Sequence, residues 1–306
     1  MLSVVYCGAN IEKNETNYEK IIIFVHDMNE RTMRLELHHP LDGYYEGTRF
    51  DRSGVFKSVA LKGRELCDVW FEPYSPTRHD AVLGPAEEFS LLDAGPFWLK
   101  PGVGLLAPDS EPYDRFKLYP IVDPGRWEFE DRGTSFLFHH TLEGYYAYTK
   151  EIRTVSERSF AISHELKVQI PWDGTVYNHN FFTMGKMETG PSRMIDFPFR
   201  PAGTWRTAYD SVLFTEGGIR FTRKLREGES VYAGDIHQAG EAGMPYDFTL
   251  REGPLSVHVR GDVPVTHTVL WANHRIACVE PYNRLRALPG ETLRWTILYQ
   301  FNLSET

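Results

Sequence analysis

"SFAISHELKVQI", Ser159 to Ile170, is the cleanest strand pattern in the chain. Phe160, Ile162, Leu166, Val168 and Ile170 alternate with Ala161, Ser163, Glu165, Lys167 and Gln169. Successive side chains of a strand point to opposite faces, so this period of two predicts one face in a core and one in water. His164 falls on the apolar face. Working outward, similar segments recur as "KIIIFVHDM", "TMRLELHH", "GVFKSVALKG", "RWEFED", "SFLFHHTL", "YYAYTKEIRTV", "GIRFTRKL", "LSVHVRG", "VTHTVLWAN" and "TLRWTILYQFNL". "TEGG", "REGE", "LPGE" and "DRGT" supply turns between strands. No long segment sustains a helical period. The expectation is an all-β fold of large antiparallel sheets stacked face to face, one β-sandwich domain over residues 1–306. The stretch from Pro73 to Pro112 has weaker strand signals and is expected to be loop-rich, where sites tend to sit.

The 306 residues, 42% of them hydrophobic, can bury one large core. The formal net charge is −9 and no basic block occurs, which argues against nucleic-acid binding through phosphate neutralisation. Cys7, Cys67 and Cys278 are sparse and lack CxxC spacing, so neither a disulfide framework nor a zinc cluster is expected. The first residues lack the basic n-region of a signal peptide, and no apolar run is long enough for a bilayer. The expectation is a soluble cytoplasmic protein with no membrane or nucleic-acid partner. The pairs His38-His39 and His139-His140 point to opposite strand faces, and no HxH or HExxH spacing is present. No metal or other cofactor is therefore expected.

Four stretches carry candidate chemistry. In "TVYNHNFF" (175–182), Asn178, His179 and Asn180 interrupt an aromatic strand. On a strand both asparagines face away from His179. His179 is a candidate acid or a core histidine. In "YYEGTRFDRSG", Gly47 and Gly54 bracket Arg49, whose rigid fork could bind hydroxyls or a carboxylate, or form a surface pair with Asp51. "TRHDAVLGPAEEF" contributes His79, Asp80, Glu87 and Glu88, which are solvated loop groups or substrate ligands. In "ACVEPY", an apolar strand is expected to stop at Glu280-Pro281, leaving a carboxylate at its end. Partial burial would raise its pKa and make it a better base; pairing with Arg284 or Arg286 is the alternative.

Taken in order, these pieces resemble the galactose mutarotase-like superfamily, the aldose 1-epimerases and their relatives. The resemblance runs from Arg49 in "EGTRFDRSG" through the loop His79, "NHNFF" and "CVEPY" to "LPGETLRWTILYQF", most of the chain. "GTRFDRSG" departs from the family's usual arginine motif, and "RHDAVLGPAEEF" lacks its His-Gly-Gly context. The resemblance implies a supersandwich with an open cleft across a concave sheet. It implies a monosaccharide or other sugar-containing ligand, with Glu280 as base and His179 as acid. Arg49, His79, Asp80, Glu87, Glu88 and Asn178 are then candidate substrate-binding residues. For such chemistry the imidazole and carboxylate should lie about 4–8 Å apart, each within hydrogen-bond reach of its own sugar oxygen. Two alternatives stay open: a non-catalytic carbohydrate-binding protein, and another sugar enzyme of this fold, such as a lyase or a phosphosugar epimerase. The last would need a cationic pocket, for which Arg49, Arg52, Lys57 and Arg78 are candidates.

Overall fold

A computed structural model describes residues 33–41, 43–71, 81–238 and 243–304 with their side chains, and the backbone of the Ile23–Asp27 strand. Among the described residues there is no helix; the ordered elements are antiparallel strands. Ten strands form one sheet, six form a second, and two four-stranded sheets complete the fold. The alternating segment Ser159–Val168 lies inside the ten-stranded sheet, between Tyr146–Ser156 and Thr292–Leu303. Phe160, Ile162, Leu166 and Val168 are fully buried, as the period of two requires.

The six-stranded sheet has the order Pro201–Trp205, Ser230–Gln238, His267–Asn273, Ala277–Ala287, Trp172–Phe181, Gly84–Phe89. Its back face packs on the ten-stranded sheet. Phe89 meets Trp295 edge-on at 6.3 Å between centroids, Phe182 meets Phe301 at 5.6 Å, and the Tyr299 hydroxyl donates to Asn180 Oδ1 at 3.0 Å. Dense aromatic and aliphatic packing between two such faces is the main source of stability in a sandwich. No helix among the described residues is long and apolar enough to cross a membrane.

Two local expectations are corrected. The stretch expected to be loop-rich contains the strands Gly84–Phe89, Leu92–Ala94, Phe97–Lys100 and Gly104–Leu106. "GPAEEF" hides its strand character because two glutamates occupy fully buried positions that only distant partners can neutralise. Nor does the late apolar strand stop at Glu280. It runs from Ala277 to Ala287 with Pro281 inside it. Its ladder to Trp172–Phe181 ends at Tyr177 opposite Tyr282, next to the proline that lacks a donor. Beyond that point Asn180 Nδ2 donates to the Val279 carbonyl at 2.8 Å, so a side chain takes over from the ladder.

Candidate active site

Strand register assembles the front face of the six-stranded sheet. Tyr177 pairs with Tyr282, and continuing that register sets His179 opposite Glu280. On the other side Tyr177 pairs with Glu88 and His179 with Ala86; Glu280 pairs with Val269 and Tyr282 with His267. Alternation therefore puts Tyr177, His179, Phe181, Glu280, Tyr282 and Glu88 on one face. His179 Nε2 lies 3.2 Å from Glu280 Oε1. This is closer than the expected separation, because two buried polar groups directly opposite each other satisfy one another.

The pair is not laid open. His179 is 4% and Glu280 5% exposed. Phe181 stacks on the imidazole at 3.8 Å, and Phe50 and Trp271 meet it edge-on at 6.1 and 5.9 Å. Trp70 stacks on Phe181 at 5.0 Å. The pair is thus enclosed by Phe50, Phe181 and Trp271, with Trp70 behind Phe181, and does not line the expected open cleft. Burial pushes the Glu280 carboxyl up from 4.5 to about 8; Arg49 and Arg115 pull it down and Glu88 adds to the rise. Arg284 and Arg286, the alternative partners of Glu280, instead bond Asp173.

Beside the pair lies a cationic cluster around one carboxylate. The segment at residue 51 lies along the sheet edge, where Asp51 N donates to the Glu87 carbonyl at 2.8 Å. Arg49 thereby reaches the front face, and its Nε donates to Glu88 Oε2 at 2.6 Å and its Nη2 to the Tyr177 hydroxyl at 2.9 Å. Tyr177 in turn donates to Glu88. Lys100 Nζ and Arg115 Nε lie 3.6 and 3.8 Å from Glu88 Oε1. Burial works to raise the Glu88 carboxyl, but Lys100, Arg49 and Arg115 outweigh it and hold the group below its ordinary value.

Glu87 and Asn178 point the other way. Both are 1% exposed and lie between the sheets, where Asn178 Nδ2 donates to Glu87 Oε1 at 2.7 Å. Lys150 Nζ donates to Glu87 and approaches Asp51 Oδ2 at 3.4 Å, and His164 Nε2 lies 3.4 Å from Glu87. The Tyr148 hydroxyl also donates to Asp51 at 3.0 Å. The expectation that Glu87 and Asn178 contact substrate is therefore not retained: alternation along adjacent strands sends them to the sandwich interior. The alternative Arg49–Asp51 pair does not form, since Arg49 bonds Glu88 and Tyr177 on the front face while Asp51 accepts from Tyr148 and lies beside Lys150 in the interior. His79, Asp80 and Arg78 lie outside the described residues. Arg52 donates to the Glu46 and Gly47 carbonyls and Lys57 lies 3.2 Å from Glu36, so neither joins the cluster.

Tyr282, Arg115 and Lys100 were not singled out from the sequence as site residues. Period two around Glu280 would have found Tyr282. Nothing in "DSEPYDRFKLYP" marks Arg115. Among the described residues no group of three or more His, Cys, Asp or Glu side chains is placed to hold a metal ion.

No family model matches this sequence, and no curated protein is similar to it by sequence comparison. Solved structures are similar in fold. A protein of Synechocystis sp. PCC 6803 matches with a TM-score of 0.57 at 9% identity, covering 96% of this chain and 100% of its own. A galactose mutarotase related enzyme from Lactobacillus acidophilus gives 0.53 at 10%, covering 93% and 100%. An aldose epimerase homologue from C. elegans gives 0.53 at 11%, covering 93% and 100%. The fold is similar to that of aldose 1-epimerase and galactose mutarotase-like proteins, at 9–11% identity.

Proposed function

We propose that this protein is an aldose 1-epimerase-like enzyme that interconverts sugar anomers by proton transfer at His179 and Glu280. The observation that carries this is the 3.2 Å contact of an imidazole and a carboxyl on the front face of the sheet. Anomer exchange needs one base and one acid on oxygens attached to the same carbon. Glu280 takes the proton of the anomeric hydroxyl, and His179, as imidazolium, gives one to the ring oxygen. The C1–O5 bond breaks as the aldehyde forms, the C1–C2 bond rotates, and closure on the other face returns both protons. Burial keeps the two groups poorly solvated, which strengthens their coupling to a sugar oxygen that enters between them. Arg49 acts at one remove, fixing Tyr177 and Glu88 beside the pair. Of the acids Asp80, Glu87 and Glu88, Glu88 is the one among the described residues that shares this face. His79 and Asp80 are proposed ligands on the resemblance alone.

The test is exchange between anomers, followed by NMR for a panel of aldoses, in wild type, His179→Gln and Glu280→Gln. The expected result is acceleration over the spontaneous rate by wild type and its loss in both variants. A second reading, a sugar-binding protein without catalysis, is favoured by the burial of the pair. Saturable binding of an aldose with spontaneous exchange rates would select it.

A further inference from the structure

Three cations, Arg49, Lys100 and Arg115, lie within 2.6, 3.6 and 3.8 Å of the single carboxylate of Glu88. One carboxylate neutralises one of them. Tyr113, Tyr177 and Tyr282 are held in their neutral forms, chiefly by burial. Glu280, the other carboxyl that Arg49 and Arg115 act on, is held protonated to about 8 by burial, and when ionised still leaves three cations to two carboxylates. Asp109, an acid a few residues before Arg115, is taken by Lys117. The cluster therefore carries surplus positive charge in poorly hydrated surroundings. Burial lowers the Lys100 ammonium to about 8, and Arg49 and Arg115 add to the fall against the pull of Glu88, as expected for crowded like charges.

The three cations differ in access. Arg49 and Lys100 side chains are 7% and 1% exposed, whereas that of Arg115 is 42% exposed. Lys100 Nζ is directed to the Tyr113 hydroxyl at 2.9 Å. Arg115 Nη1 donates to the Tyr177 hydroxyl at 3.2 Å, with its guanidinium 5.9 Å from the Tyr177 ring centroid. Tyr177 stacks on Tyr282 at 4.3 Å, and these two residues stand two positions from His179 and Glu280 on the same face. The open cation is thus one side chain away from the acid–base pair. A neutral sugar gives no use for such a surplus, whereas a guanidinium fork backed by two further cations matches an oxyanion.

We propose that the sugar taken by this site bears an oxyanion, a carboxylate or a phosphate ester, bound at Arg115 with Arg49 and Lys100 behind it. That the ligand is a sugar rests on the epimerase-like reading; that it is an anion rests on the cluster. The experiment compares a hexose, the matching hexuronate and the hexose 6-phosphate, by calorimetric titration and by NMR anomer exchange, in wild type, Arg115→Gln and Arg115→Lys. Wild type should bind at least one charged sugar tighter than the neutral hexose. Arg115→Gln should cut that preference by about 10–100-fold, the scale of a charged hydrogen bond, and Arg115→Lys should restore part of it. Added salt should weaken the charged sugar selectively. The uronate and phosphate arms tell which oxyanion is meant. Equal affinity for neutral and charged sugars, or a preference unchanged in Arg115→Gln, overturns the proposal. Exchange of neutral hexose without any charge preference sinks the anion site and leaves the epimerase. Tight binding of a charged sugar without exchange does the reverse.

Discussion

Replacing Glu280 with glutamine tests the electrostatic state of the pair without reference to any substrate. Glutamine keeps the shape of a protonated glutamic acid and cannot ionise. In the native protein the Glu280 carboxyl sits at about 8, against 4.5 ordinarily. The folded state therefore holds this proton more tightly than the unfolded chain. The stabilisation is fully present below about pH 4.5 and falls as pH rises toward 8, above which both states are ionised. A tenfold difference in proton affinity between the two states is worth ~1.4 kcal/mol, so the whole loss is on the order of 5 kcal/mol, with relaxation and water entry reducing it. The measurement is urea denaturation of wild type and Glu280→Gln at several values between pH 5 and 8.5. The wild type should lose stability relative to the variant by about 1 kcal/mol per pH unit. Parallel profiles would refute the neutral buried carboxyl.

Three further outcomes are expected. His179→Gln should lower anomer exchange by about 10²–10⁴-fold; because the imidazole stacks on Phe181 and is nearly buried, it should also cost about 1–3 kcal/mol in chemical denaturation. The proposed reaction needs Glu280 ionised, a form that fills as pH passes through about 8, while His179 still carries its proton, so kcat/KM should trace a bell-shaped pH profile, and a rate independent of pH between about 5 and 9 would exclude the pair as base and acid. Lys150→Met leaves Glu87 and Asp51 buried without their shared cation and should cost about 3–5 kcal/mol; the thermal midpoint should recover in part when Glu87→Gln is added, and full independence of the two substitutions would contradict a coupled interior cluster.

The local periodicities were legible in the sequence. Alternation in Ser159–Ile170 predicts a half-buried strand, and the same rule sends His179 to one face and its flanking asparagines to the other. It also groups Tyr177 and Phe181 with His179, and Tyr282 with Glu280. These facts follow from neighbouring residues because the pleat of a strand is a local property. Register is not local. That His179 stands opposite Glu280, about a hundred positions later in the chain, depends on which strands pair and where the ladder starts. The fate of the two adjacent glutamates depended on the same thing. Glu87 and Glu88 look alike in "GPAEEF", yet one serves Lys150 in the sandwich interior and the other gathers Arg49, Lys100 and Arg115 on the front face. A carboxylate's role is set by the charges that long-range folding brings within a few ångströms of it, and those charges come from segments with no mark of their own in the sequence.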